Sequence, residues 1–225
     1  MLKTIPVLIL LFNVIAITAN CQDATAVINN IDTELKEGKT TITKILTDES
    51  LMQLHSLTLF REVIKANAKA EKISIVTAGE PGTKVLIKGI VVDKTGAAVK
   101  NIKIYVYQTS DKGWYSDTGA HILMNMGDIN HARLFGYLKT DDKGGFSFET
   151  IKPKGYPRSE LAAHIHIHFW SPDSRTLHGP GELQFDDDPR MTPERRKQSI
   201  ADGYLISKNT GTAQRPVYEY RIVVN

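Results

Sequence analysis

The chain has 225 residues, 41% of them hydrophobic and 24% charged, which excludes wholesale disorder and fits one large domain or a smaller one with an appendage. Its 28 Lys and Arg against 25 Asp and Glu leave a formal charge of +3, too small and too evenly spread for a nucleic-acid footprint. The single cysteine excludes an internal disulfide and any Cys-cluster metal site, so a metal here must be held by His, Tyr or carboxylates.

Met1 to Lys3 gives a short positive start, and Ile5 to Ala19 is almost wholly apolar but shorter than the ~20 residues that span a bilayer. This is the pattern of a secretory signal over residues 1–21. The protein is therefore expected to be exported: secreted, periplasmic, or lipid-anchored at Cys21. Thr18-Ala19-Asn20-Cys21 is similar to a bacterial lipobox, in which the cysteine is acylated. Ordinary cleavage after Ala19, leaving a free thiol, is the other outcome.

Residues 22–78 read as a helical arm. Val27, Ile28, Ile31 and Leu35 recur at helical spacing, and Leu54, Leu57, Phe60 and Ile64 do so again beyond Gly38. The arm is expected to pack on the domain; a dimerisation element, and with it a homodimer, is the other reading. Ala78 to Gly82 then breaks the pattern.

From Gly82 the period changes to two. Strands are expected at Val85–Val91, Ile102–Val106, Ala163–Trp170 and Val217–Val224. Leu134–Leu138 and Phe146–Phe148 look like a hairpin about Asp141 to Gly145. Short strands between Gly/Asp turns point to an all-β fold, a β-sandwich over residues 83–225 preceded by the helical arm. A brief helix is expected after Thr192, a good N-cap followed by Pro193.

Chemistry concentrates in Ala163-His164-Ile165-His166-Ile167-His168-Phe169. Three of the seven histidines alternate along one strand and so share a face. Burying three imidazoles together is costly unless a metal takes their lone pairs; a histidine-rich polar edge is the bland alternative. Tyr115 follows the second strand and Tyr156 lies on the loop before the histidines. Each alone would be a packed aromatic. With His-x-His they offer two phenolates and two imidazoles, which suit a hard trivalent cation better than zinc. His121 and His131 flank a Met/Asn/Gly-rich loop that could roof such a pocket, and Asp186-Asp187-Asp188 reads as a solvated turn.

At this point Val85 to Arg190 resembles the catalytic domain of the intradiol ring-cleavage dioxygenases, the group of catechol 1,2- and protocatechuate 3,4-dioxygenases. Five elements in order carry the resemblance. They are Gly89 to Gly96, Tyr105 to Tyr115, Thr140 to Phe148, Pro153 to Tyr156 and Ala163 to His166. The resemblance implies an Fe(III) centre with Tyr115, Tyr156, His164 and His166 as protein ligands, acting on an aromatic diol and dioxygen to give a muconate-type product. It makes Tyr156 a catalytic group as well, taking up a proton from the diol. His168 shares the strand face but lies beyond the motif, in the surroundings of the site; a register using His166 and His168 is the other possibility.

Two positions depart from the family pattern. An arginine expected just before His-x-His is replaced at Leu161, which leaves Arg158 as the nearest cation and the catalytic candidate for its role. Glu182 stands where a neutral glutamine is expected. These departures keep open a non-catalytic β-sandwich that binds metal or an aromatic ligand. A zinc or copper hydrolase or oxidase is a third reading, which would leave both tyrosines as packing residues.

Overall fold

A computed structural model of the protein describes residues 23–121 and 127–225. The leader over residues 1–21, Cys21 included, lies outside the described residues. The fold is mostly sheet with some helices.

Helix α1 covers 23–36 and buries Ile28, Ile31 and Leu35 of the expected stripe, while Val27 stays 43% exposed. The chain turns at Gly38 and continues into α2 (Ile42–Leu46), capped by Thr41, whose hydroxyl accepts from Lys44 N. The second apolar run does not form one helix. A 3-10 turn at Glu49–Leu54 ends at His55, and α3 (Thr58–Ala66) starts afresh after Leu57. Leu57 is therefore an extended N-cap left 38% exposed, because Asp48 opens a separate tighter turn in front of it. No described helix is long and apolar enough to cross a membrane.

Among the described residues, ten strands make two sheets. The first has the order β1 (Ile73–Ser74), β5 (Gly145–Ile151), β2 (Lys84–Val92) and β10 (Val217–Val223). The second runs β4 (Leu134–Lys139), β3 (Lys103–Gln108), β6 (His164–Trp170), β8 (Glu182–Phe185) and β9 (Leu205–Ser207), with β7 (Thr176–Leu177) also on β6. Strand β2 buries Val85, Ile87, Gly89 and Val91 and turns its lysines outward, as its alternation requires. Helix α5 (Pro193–Ala201) starts where expected, with the Thr192 hydroxyl accepting from Arg195 N. One cluster of buried side chains joins the helices and both sheets, from Ile28 and Phe60 through Ile87 and Phe148 to Ile165 and Phe185.

One sequence expectation is overturned. The turn at 141–145 is closed, with Asp141 N donating to Gly145 O at 2.8 Å. Its two arms nevertheless enter different sheets, β4 pairing with β3 and β5 with β2. Gly89 explains the preference of β5: a Cβ there would lie 2.2 Å from the Phe146 ring, so the missing side chain of β2 is replaced by an aromatic of β5.

Helix α4 (Gly127–His131) completes the frame, beside the start of β4.

Candidate metal centre

Strand β6 lies between β3 and β8, so the side chains of His164, His166 and His168 project on one face together with Tyr105 and Tyr107 of β3 and Glu182 and Gln184 of β8. The turn after β3 brings Tyr115 over this face, and the loop before β6 brings Tyr156. Two glycines allow the two loops to meet. Gly113 has φ +77, and a Cβ on it would lie 2.5 Å from Gly155 O. On Gly155 a Cβ would collide with the Arg190 guanidinium and with Leu161 O.

Four donor atoms converge. The hydroxyls of Tyr115 and Tyr156 are 2.5 Å apart. The Tyr156 hydroxyl is 3.0 Å from His164 Nε2 and 3.3 Å from His166 Nε2. The Tyr115 hydroxyl is 2.8 Å from His166 Nε2. His164 Nδ1 lies 2.8 Å from Ala162 O, and a carbonyl only accepts, so Nδ1 carries the proton and Nε2 presents its lone pair to the tyrosines. Tyr107 stacks on His166 with centroids 4.5 Å apart and fixes the plane of that ring.

Burial favours the neutral forms of Tyr115, Tyr156 and His166. Desolvation raises the Tyr115 phenol far above its usual range, and the adjoining Tyr156 adds to it. Tyr156 is pushed up to about 12, chiefly by desolvation, with the hydrogen bond from Tyr115 working the other way and Glu182 adding a further rise. His166 is pushed down to about 2, by desolvation first and then by His164 and His168. Two phenol oxygens and two imidazole nitrogens thus share one small volume. A cation at their centre would accept all four lone pairs and favour the ionised phenols, so the residues present fit a hard metal ion.

A second grouping overlaps this one: His164, His166 and Glu182 bring ligand atoms within 4.8 Å of one another. The His164 nitrogen facing Glu182 is Nδ1, 3.9 Å from the carboxylate and already bonded to Ala162 O. The bare nitrogens face the tyrosines, and that side is the better metal site.

The other residues singled out in the sequence fall in distinct places. His168 is outside the converging set; it lies 6.0 Å from Tyr105 and from Tyr107 and 6.2 Å from Trp170, and its Nε2 is buried without a hydrogen bond. Glu182 is half-buried and accepts from Gln184 Nε2 at 2.8 Å. Arg158 is exposed at φ +59, and among the described residues its guanidinium makes no hydrogen bond or ion pair. Leu161 is 42% exposed. Asp187 is engaged by Lys152 at 2.8 Å and by the Tyr218 hydroxyl, and Asp186 by Arg196.

Two residues of the site, Arg190 and Gln184, carried too little local signal to be found. Arg190 donates to Tyr156 O at 3.1 Å and Leu161 O at 3.3 Å, holding the tyrosine loop from behind. Gln184 sits opposite His164 and orients Glu182. His121 places its ring 5.0 Å from Tyr156, with Nδ1 2.7 Å from Asp128 Oδ2, while His131 instead ties to Ser56 O at 2.7 Å. Residues 122–126 of the intervening loop lie outside the described residues.

Comparison with known proteins identifies the family and the fold. A family described as Dioxygenase matches residues 59–224. The protocatechuate 3,4-dioxygenase beta chain of Burkholderia cepacia is 27% identical over 168 residues, 66% of this chain and 68% of that protein. Catechol 1,2-dioxygenase of Candida albicans is 33% identical over 85 residues, 37% of this chain and only 26% of that protein, so this match spans about a quarter of its length. The fold is shared with an intradiol ring-cleavage dioxygenase from Tetranychus urticae, at TM-score 0.53 and 19% identity over 68% of this chain and 85% of that one. The dioxygenase domain of a carbohydrate-binding fusion from Streptomyces sp. SirexAA-E gives TM-score 0.51 and 21% identity over 69% and 88%. With the matched family covering most of the chain and its tyrosines and histidines gathered at one point, this protein belongs to the intradiol ring-cleavage dioxygenases, a family of oxidoreductases.

Proposed function

We infer that the protein cleaves a catechol-type diol with dioxygen between its two hydroxylated carbons, using Fe(III) held by Tyr115, Tyr156, His164 and His166. The observation that carries this reading is the approach of two phenol oxygens and two imidazole Nε2 atoms to within 3.3 Å along a connected set of contacts. Bound there, a ferric ion would draw electron density from a chelating diol and open the ring to attack by dioxygen, giving a muconate-type product.

The chain's own residues supply binding and proton handling. A diol must lose its hydroxyl protons on binding. The Tyr156 oxygen is placed to receive one, since it touches both imidazoles and is less buried than Tyr115. Tyr107 and His168 line the strand face and keep water out. Charge selects the substrate. Leu161 offers no cation, Arg190 is spent on backbone carbonyls, and Glu182 adds a negative group, so a neutral catechol is favoured over a carboxylated one. The match to a dioxygenase family supports an enzyme over a non-catalytic module.

This reading also takes the two sheets as the layers of a sandwich over residues 83–225, with residues 22–78 as a helical arm whose end adds the short strand β1 to the first sheet; their shared core supports it. The apolar start and Cys21 support export, with acylation tested by fatty-acid labelling of wild type against Cys21→Ser. The activity is tested by oxygen uptake and product absorbance with catechol and protocatechuate, beside iron content and the visible spectrum of the protein. A colourless protein without iron, inert towards both diols, would overturn the proposal.

A further inference from the structure

On the face of the second sheet that carries the histidines, one row of side chains remains beyond the aromatic ones. Lys139 of β4 is in direct register with Lys103 of β3, and Lys103 with Trp170 of β6. Directly opposed residues of antiparallel strands project to the same side, so two ammonium groups and an indole are held side by side. Helix α3 adds a third cation, with Lys65 Nζ 5.8 Å from the centre of the Trp170 ring. Together with Asn101 and Ser174 these groups line a recess of about 200 Å³. It is separate from the candidate metal centre, since Trp170 lies four residues past His166 along β6, roughly 13 Å away.

Of the three lysines of this recess, only Lys65 has a carboxylate partner among the described residues. Glu62 faces Lys65 at 3.5 Å. Neither Lys103 nor Lys139 has a hydrogen bond or ion pair from its ammonium among the described residues, and both are half-buried. Like charges directly opposite in a ladder are destabilising, and the burial that limits their hydration makes the repulsion worse. Burial lowers the Lys103 ammonium below its usual range, and Lys139 and Lys65 lower it further, while Glu62 works the other way. A fold that holds three lysines around one recess, against an indole wall, keeps an unfavourable arrangement that one bound anion would reverse. A divalent oxyanion matches best, because it accepts from several ammonium groups at once and cancels the excess charge.

We propose that Lys65, Lys103, Lys139 and Trp170 form a binding site for a sulfate- or phosphate-type oxyanion, distinct from the ring-cleavage centre. Trp170 reports on it. The chain has two tryptophans, so emission of the full chain in a Trp114→Phe background isolates the signal. Sodium sulfate and sodium phosphate are titrated against sodium chloride at matched ionic strength, with calorimetry on the wild type as a second measure. Saturable binding of one divalent anion per chain is expected, about tenfold weaker or more in Lys103→Gln/Lys139→Gln. In chloride alone, Lys103→Gln should melt higher than wild type, since a repulsion is removed, and sulfate should no longer raise its melting temperature. Phenyl sulfate as a third titrant separates a free ion from an esterified one; saturation by either supports the site. A response that follows ionic strength whatever the anion, or a double variant that binds like wild type, overturns it.

Discussion

At the scale of single residues, the site separates groups that hold a metal from groups that shape its surroundings. Tyr115 is 2% exposed and its hydroxyl touches both Tyr156 and His166, so Tyr115→Phe removes one donor while keeping the ring in place. Iron content and the visible band should both fall, and turnover should drop by about 10²-fold or more, which spectroscopy and oxygen uptake on the same preparation will show. His168→Phe should leave iron bound, because that ring contacts Tyr105, Tyr107 and Trp170 and none of the four donors. Metal loss as severe as in His164→Ala would move the ligand register by two residues. Glu182 carries the charge argument. Glu182→Gln should improve kcat/KM for protocatechuate relative to catechol by roughly three- to tenfold, the value of one partly screened charge. An unchanged ratio would mean that the carboxylate does not face the substrate.

Among the elements, the decisive contact is between two loops. The turn ending at Gly113 and the loop through Gly155 touch backbone to backbone, and each carries one tyrosine to the centre. Gly113→Ala forces a Cβ to 2.5 Å from a carbonyl oxygen at a φ that side chains disfavour, so the loops must part. A stability loss of about 2–4 kcal/mol is expected in urea unfolding, with iron binding impaired even where the variant folds. The local half of this arrangement was legible in the sequence. Alternation placed the three histidines on one face, Thr192 and Pro193 marked α5, and the family resemblance singled out Tyr115 and Tyr156 on the two loops. Pairing between distant segments was not legible. Nothing in the residues around Asp141 tells that the arms of a well-formed turn enter separate sheets, and the parallel pairing of β2 with β10 joins segments more than a hundred residues apart. Arg190 and Gln184 escaped for the same reason, since each acts on the site through a strand or loop that only tertiary structure brings near.

For the molecule as a whole, the helices and the second sheet are joined by a buried cation. Arg61 of α3 is 4% exposed and donates to His55 O at 2.9 Å and Ala132 O at 3.0 Å, contacts the Tyr105 hydroxyl, and lies 3.7 Å from the centre of the Phe135 ring. Among the described residues no carboxylate pairs with it, so the joint tolerates one positive charge and resists a second. His55 is stacked on Phe60 in the same place, 2% exposed, with Nδ1 2.8 Å from Arg133 O and Nε2 unpartnered. Desolvation, with Arg61 and Arg133 adding to it, depresses its pKa from 6.5 to about 4. The folded form therefore keeps His55 neutral where the unfolded chain would already take up a proton. Stability from this residue is complete above pH 6.5, declines as the pH falls towards about 4, and changes no further below that. The full span is worth at most about 3 kcal/mol. Urea midpoints measured from pH 7 to pH 4 should fall more steeply for wild type than for His55→Phe, which keeps the stacking and cannot be protonated. Parallel curves would show that the joint opens before His55 is charged, and that Arg61 alone holds the helices to the sheet.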